Sequence, residues 1–124
     1  MALISLEIWV NFLFLERMFF NDLSLMQRRL SLYENILKQG KKAEAIFMTA
    51  EAVKIACKLA DDEVLKIQDS YLSLKEKFAI DLLVCGRAFK EQGYSSSDLK
   101  EGFTLSGNME LLALAFKAQK IIEL

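Results

Sequence analysis

The stretch LLVCGRAFKEQG, residues 82–93, ends a short apolar run in Cys85 and follows it at once with Gly86, Arg87 and a helix-like segment. A cysteine between a strand end and a helix start lies near backbone N–H groups that have no helical partner, and near the positive end of the helix. Both favour the thiolate, and Arg87 and Lys90 bring positive charge to the same segment. A thiolate in such a place can attack a sulfur donor and hold the sulfur as a persulfide, with no histidine and no metal. The competing reading is structural, because a free cysteine often finishes a buried strand as a small apolar residue.

The chain contains no histidine. That removes the usual general base near neutral pH and the commonest metal ligand. Ser-His-Asp and Cys-His mechanisms supplied by this chain alone are excluded. Cys57, the second cysteine, lies 28 positions before Cys85, which is neither a CxxC nor a zinc-site spacing. It shares a face of an expected helix with Val53, Ala56 and Ala60, so it reads as a packing residue.

Other candidates are weaker. GFTLSG, residues 102–107, is a glycine-bounded turn before a helix, a place that can receive an anion, but it is no P-loop. Arg28, Arg29, Lys41 and Lys42 read as solvated faces with acidic neighbours. Asp81 falls inside an expected strand, either facing solvent at an edge or paired. Trp9, Phe12, Phe14, Met18, Phe19 and Phe20 read as core, with enough apolar density to supply part of a subunit interface.

The elements that must position Cys85 follow from periodicity. Residues 2–10, ALISLEIWV, read as a buried strand. Leu25, Met26, Leu30, Tyr33, Ile36 and Leu37 have helical spacing and predict a helix from about Leu23 to Gln39, capped by Asp22 or Ser24 and stopped by Gly40. Residues 41–48 predict a second strand. A helix through AEAVKIACKLA to about Ala60 follows, then another opened by Asp61 or Asp62. Phe78–Val84 predicts a third strand, with a short helix over Arg87–Gln92. A helical turn over Ser97–Glu101, a brief strand at Phe103–Leu105, a helix over Gly107–Ala118 and a last strand in KIIEL complete the chain. Alternating strands and helices predict a mainly parallel sheet covered on both faces, a three-layer α/β/α sandwich. Working groups in such sheets gather at the carboxyl ends of the strands, where Cys85 falls.

Composition agrees with one globular domain over residues 1–124. The chain is 53% hydrophobic and 27% charged, a globular balance, with an apolar share that suits a buried subunit interface. Its 16 basic and 17 acidic residues give a net charge of −1, which offers no phosphate-tracking surface for nucleic acid. Glu7 and Glu16 interrupt the apolar first twenty residues, and no lysine or arginine precedes them. That pattern fits neither a secretory signal nor a membrane span, so a cytoplasmic protein with reduced thiols is expected.

Beyond these physical readings, the second half of the chain resembles the DsrE/DsrF-like sulfur-relay family, most closely its TusD/DsrE branch. FAIDLLVCGRAFKEQGY and SSDLKEGFTLSGNMELLALAFKAQKIIEL carry the likeness: a strand ending in a cysteine, a short basic helix reaching a glycine, a turn like GFTLSG, a helix and a final strand. LYENILKQGKKAEAIFMTAEAV is similar to the family's first helix, second strand and following turn, so the resemblance covers about residues 30–124. The family's first strand runs into a loop rich in glycine and proline, whereas this chain has NFLFLERMFFND there and no glycine before Gly40.

The resemblance implies a five-stranded parallel sheet and assembly with itself or related subunits, commonly as a hexamer. It implies that Cys85 takes sulfur as a persulfide from an upstream carrier protein and passes it to a downstream one. The destination is tRNA 2-thiouridine in one branch and dissimilatory sulfur metabolism in the other. No cofactor or metal is implied. Gly86 and Arg87 are then expected to stabilise the thiolate, through their N–H groups and the Arg87 charge. The alternative expectation is a non-catalytic structural subunit that keeps the fold and lends an interface to an active paralogue. A nucleotide-binding flavodoxin-like domain is disfavoured, because no phosphate-cradling glycine loop follows the first strand.

Overall fold

The computed structural model describes residues 11–20 and 22–124. Five strands, β1 (Asn11–Glu16), β2 (Lys42–Met48), β3 (Asp81–Cys85), β4 (Thr104–Ser106) and β5 (Lys120–Glu123), form one sheet in the order β4-β3-β2-β1-β5. Every pairing is parallel, as expected for an α/β sandwich. The helices are α1 (Leu23–Lys38), α2 (Asp62–Phe78), α3 (Gly86–Glu91) and α4 (Asn108–Lys117).

The first strand differs from the expectation. NFLFLE, read from sequence as the region after a strand, is itself β1 and pairs with both β2 and β5. The strand expected over residues 2–10 lies outside the described residues. Flanked on both sides, β1 is buried on both faces, so it shows a continuous apolar run and no alternation. The loop after it is therefore short, and Arg29 fixes it by donating from Nη1 to the Met18 carbonyl at 2.8 Å.

Caps explain the helix boundaries. Asp22 accepts from Ser24 N at 2.9 Å at the start of α1, and Asp61 accepts from Val64 N at 3.1 Å at the start of α2. Helix α2 runs through Phe78 and stops at Ala79, which is left-handed at φ 54°, so β3 starts three residues later than periodicity suggests.

The helix expected through Ala60 is instead a 3-10 turn, Ala50–Ala56. Ala52, Val53, Ile55 and Ala56 are all buried, which a single helical stripe does not allow. The chain then leaves the turn to bond the 98–100 segment, through Lys58 N to Asp98 O at 2.8 Å and Lys100 N to Ala56 O at 2.8 Å. Cys57 forms an isolated antiparallel bridge with Leu99.

Phe14 points to the face covered by α1 and α2, where its ring lies 4.5 Å from that of Tyr33. Leu13 and Leu15 point to the opposite face and meet Leu111 and Ala115 of α4 across a cavity of about 330 Å³. The alternation of side chains along β1 thus divides the core into two layers. Helix α4 buries none of its residues fully, and Met109, Leu112 and Phe116 remain 84%, 57% and 83% exposed. No helix among the described residues is long and apolar enough to cross a membrane.

Candidate functional site

Cys85 ends β3 and occupies the N-cap position of α3, without a side-chain capping bond, at the carboxyl edge of the sheet. Its backbone is extended, with φ −60° and ψ 113°, and the chain turns into the helix at Gly86. Three apolar residues, Leu82, Leu83 and Val84, bury β3 between β2 and β4 and carry Cys85 to the rim. The residue is 8% exposed, against 2% for Cys57, and both are free thiols. Across the β3–β4 pair Cys85 stands opposite Ser106.

Gly86 and Arg87 open α3, so their N–H groups belong to the unsatisfied first turn beside Cys85. The Arg87 side chain projects outward and is 82% exposed. Its Nε donates to Glu91 Oε1 at 3.1 Å. The guanidinium is thus shared with a carboxylate one helical turn on. Lys90 makes no ion pair among the described residues.

Two cavities flank β4, the edge strand beside Cys85. One, of about 370 Å³, is lined by Gly86, Phe89, Lys90, Tyr94, Ser95, Ser96 and Leu105. The other, of about 400 Å³, is lined by Asp81, Leu83, Thr104, Glu110, Ala113 and Leu114. Asp81 is exposed at the start of β3 and sits at that second cavity, which answers its ambiguous position in the sequence.

The GFTLSG turn is built around Gly102. At φ +101° a side chain there is strained, and a Cβ would lie 2.3 Å from Leu72 Cδ2. Lys75 Nζ donates to the Gly102 carbonyl at 2.9 Å and ties the turn to α2. The Ser106 hydroxyl donates to the Glu110 carboxylate in the first turn of α4. That carboxylate occupies the place where the sequence reading put an anion.

The largest correction among the candidate residues concerns Arg29. It is buried, not solvated, and its Nη1 lies 3.1 Å from Glu16 Oε2. Glu16 is fully buried at the end of β1, and Tyr33 and Tyr71 each donate a hydroxyl to its Oε1 at 2.5 Å. Burial pushes the Glu16 carboxyl up, while Arg29 and the two tyrosines pull it back. Burial, and then the Glu16 charge, raise both tyrosines well above their usual value. Sequence reasoning passed over this cluster, although Arg29 lies within the apolar stripe formed by Met26, Leu30, Tyr33 and Leu37. A cation inside a core-facing stripe requires a buried partner.

Comparison with known proteins agrees with this geometry. The DsrE/DsrF-like family model matches residues 23–124. No curated protein matches the chain significantly. Among solved structures, a protein of unknown function, MTH1491 from Methanobacterium thermoautotrophicum, superposes with a TM-score of 0.70 at 13% identity, covering 94% of this chain and 99% of its own. The ychN protein from E. coli gives a TM-score of 0.67 at 13% identity, with the same two coverages. At that identity the two neighbours establish the fold, and the match over residues 23–124 establishes the lineage: the chain belongs to the DsrE/DsrF-like family.

Proposed function

We propose that the protein is a cytosolic sulfur-relay subunit that carries sulfur as a persulfide on Cys85. An upstream carrier protein supplies the sulfur and a downstream one accepts it, in tRNA 2-thiouridine synthesis or in dissimilatory sulfur metabolism. The observation that carries the reading is the placement of Cys85: in a DsrE/DsrF-like chain, it ends an interior strand at the carboxyl edge of the sheet and stands at the N-cap position of α3. Thiol–persulfide exchange runs between thiolates, so the histidine-free sequence is no obstacle. The N–H groups of Gly86 and Arg87 support the thiolate. The Arg87 charge contributes at longer range, weakened by its pairing with Glu91. Assembly with further copies or related subunits, as a hexamer, covers the Met109, Leu112 and Phe116 stripe of α4.

Intact mass after incubation with a persulfide donor tests the reading. Wild type and Cys57→Ser gain one sulfur atom and Cys85→Ser gains none. If Cys85→Ser gains sulfur like wild type, Cys85 is not the carrier.

The second reading, a non-catalytic structural subunit, draws on the low exposure of Cys85. Native labelling with a thiol reagent separates the two. Complete protection of Cys85 over hours favours the structural subunit, and modification ahead of Cys57 favours the carrier.

A further inference from the structure

We infer that Ser106 accepts a hydrogen bond from the S–H of the sulfur carried on Cys85, and that Glu110 positions the Ser106 hydroxyl for it. The pair keeps the carried sulfur in the protonated form that a downstream thiolate attacks. The inference rests on the carrier reading above and adds two residues to its discharge step.

The register of the sheet brings these groups together. Leu83 of β3 and Thr104 of β4 stand opposite each other, and both line the cavity under α4 with Glu110, Ala113 and Leu114. Side chains alternate along a strand, so Cys85 and Ser106, two residues further on, point to the same side. The bond from the Ser106 hydroxyl to the Glu110 carboxylate on α4 agrees with that direction. Paired strands lie about 4.8 Å apart. The S–S bond of a persulfide takes the outer sulfur about 2 Å beyond Sγ. The carried sulfur, more than Sγ itself, is therefore the neighbour of Ser106.

A serine hydroxyl has one proton and two lone pairs. The Ser106 proton is committed to Glu110, and an ionised carboxylate only accepts. What Ser106 offers to Cys85 is then an acceptor alone, and an acceptor favours the protonated form of its partner. The charged groups that face this side are Asp81 of β3 and Glu110 of α4, with Arg87 at the rim, where it pairs with Glu91. Lys54 of the 3-10 turn lies instead over the Phe19 ring, 5.8 Å from its centroid.

The discharge step balances without an oxidant. The acceptor thiolate attacks the outer sulfur of Cys85–S–SH, a bond forms between those two sulfurs, the Cys85 S–S bond breaks, and Cys85 leaves as its thiolate. The proton stays on the transferred sulfur. An ionised outer sulfur repels the incoming thiolate.

The test loads the full chain from glutathione persulfide, removes the donor, adds glutathione as acceptor, and follows the loss of one sulfur by quenched intact mass over a range of pH. The ionisation of glutathione is common to every variant and cancels in the comparison. Ser106→Ala slows discharge about fivefold above neutral pH, as loss of one hydrogen bond does. Its fall with rising pH starts about 0.7 pH unit earlier, which is the same fivefold on a pH scale. Ser106→Thr keeps the hydroxyl and behaves as wild type. Glu110→Gln lies between, and combining it with Ser106→Ala slows discharge no further, because Glu110 acts through Ser106. Ser106 is half-buried and Glu110 exposed, so circular dichroism is unchanged in each variant. Equal rates and pH profiles for wild type and Ser106→Ala overturn the inference and leave the carrier reading standing. So does Ser106→Thr as slow as Ser106→Ala, or an additive double variant. No loading of wild type, or equal loading of Cys85→Ser, overturns both.

Discussion

Arg29 Nη1 lies 3.1 Å from Glu16 Oε2, inside a core from which water is excluded. The pair joins the end of β1 to the middle of α1. Through its bond to the Met18 carbonyl the same guanidinium also sets the loop between them. Two tyrosine hydroxyls complete the shell around the carboxylate.

Removing one partner from this pair leaves the other buried and uncompensated. Arg29→Met is expected to cost about 3–5 kcal/mol of stability, measured by urea unfolding. Adding Glu16→Gln removes the orphan charge and recovers a large part of the loss. A double variant no more stable than Arg29→Met contradicts the pairing as the source of the effect.

The three tyrosines titrate differently. Tyr33 and Tyr71 are buried against the Glu16 carboxylate and keep their protons, whereas Tyr94 is raised by burial, Cys57 and Asp98 while remaining partly accessible. The unfolded chain releases phenol protons near the ordinary value of 10.0, while the folded chain holds them. Above about pH 10 the unfolded state therefore binds fewer protons, and stability falls as pH rises. Absorbance at about 295 nm, the phenolate band, should show the Tyr94 step first, with Tyr33 and Tyr71 ionising only as the fold is lost. Three independent steps in a still-folded protein contradict the cluster.

The exposed face of α4 predicts association. Met109, Leu112 and Phe116 recur at helical spacing, and Ile121 of β5 adds to the patch at 50% exposure. Light scattering should show an oligomer for wild type and a smaller species for Leu112→Glu with Phe116→Glu. Both positions are exposed, so circular dichroism should be unchanged. A wild-type monomer at high concentration contradicts the proposed assembly.

Local chemistry was legible in the sequence. The caps, expected at Asp22 or Ser24 and at Asp61 or Asp62 and found at Asp22 and Asp61, the stripe of α1, a strand running up to Cys85 and a short helix just after it all follow from neighbours a few residues away. Those signals act within a turn or two of chain, so the parallel architecture and the position of Cys85 at the sheet edge could be read directly.

Only the tertiary structure decided the rest, because those outcomes depend on partners far along the chain. NFLFLE became β1 because β2 and β5 bond both of its edges. AEAVKIA became a 3-10 turn because residues 98–100 capture the chain just beyond it. Arg29 entered the core because Glu16, Tyr33 and Tyr71 converge there from three elements. The sequence placed the thiol on its element. The surroundings of that thiol, with Ser106 opposite it across the β3–β4 pair, came from packing between segments that no local pattern joins.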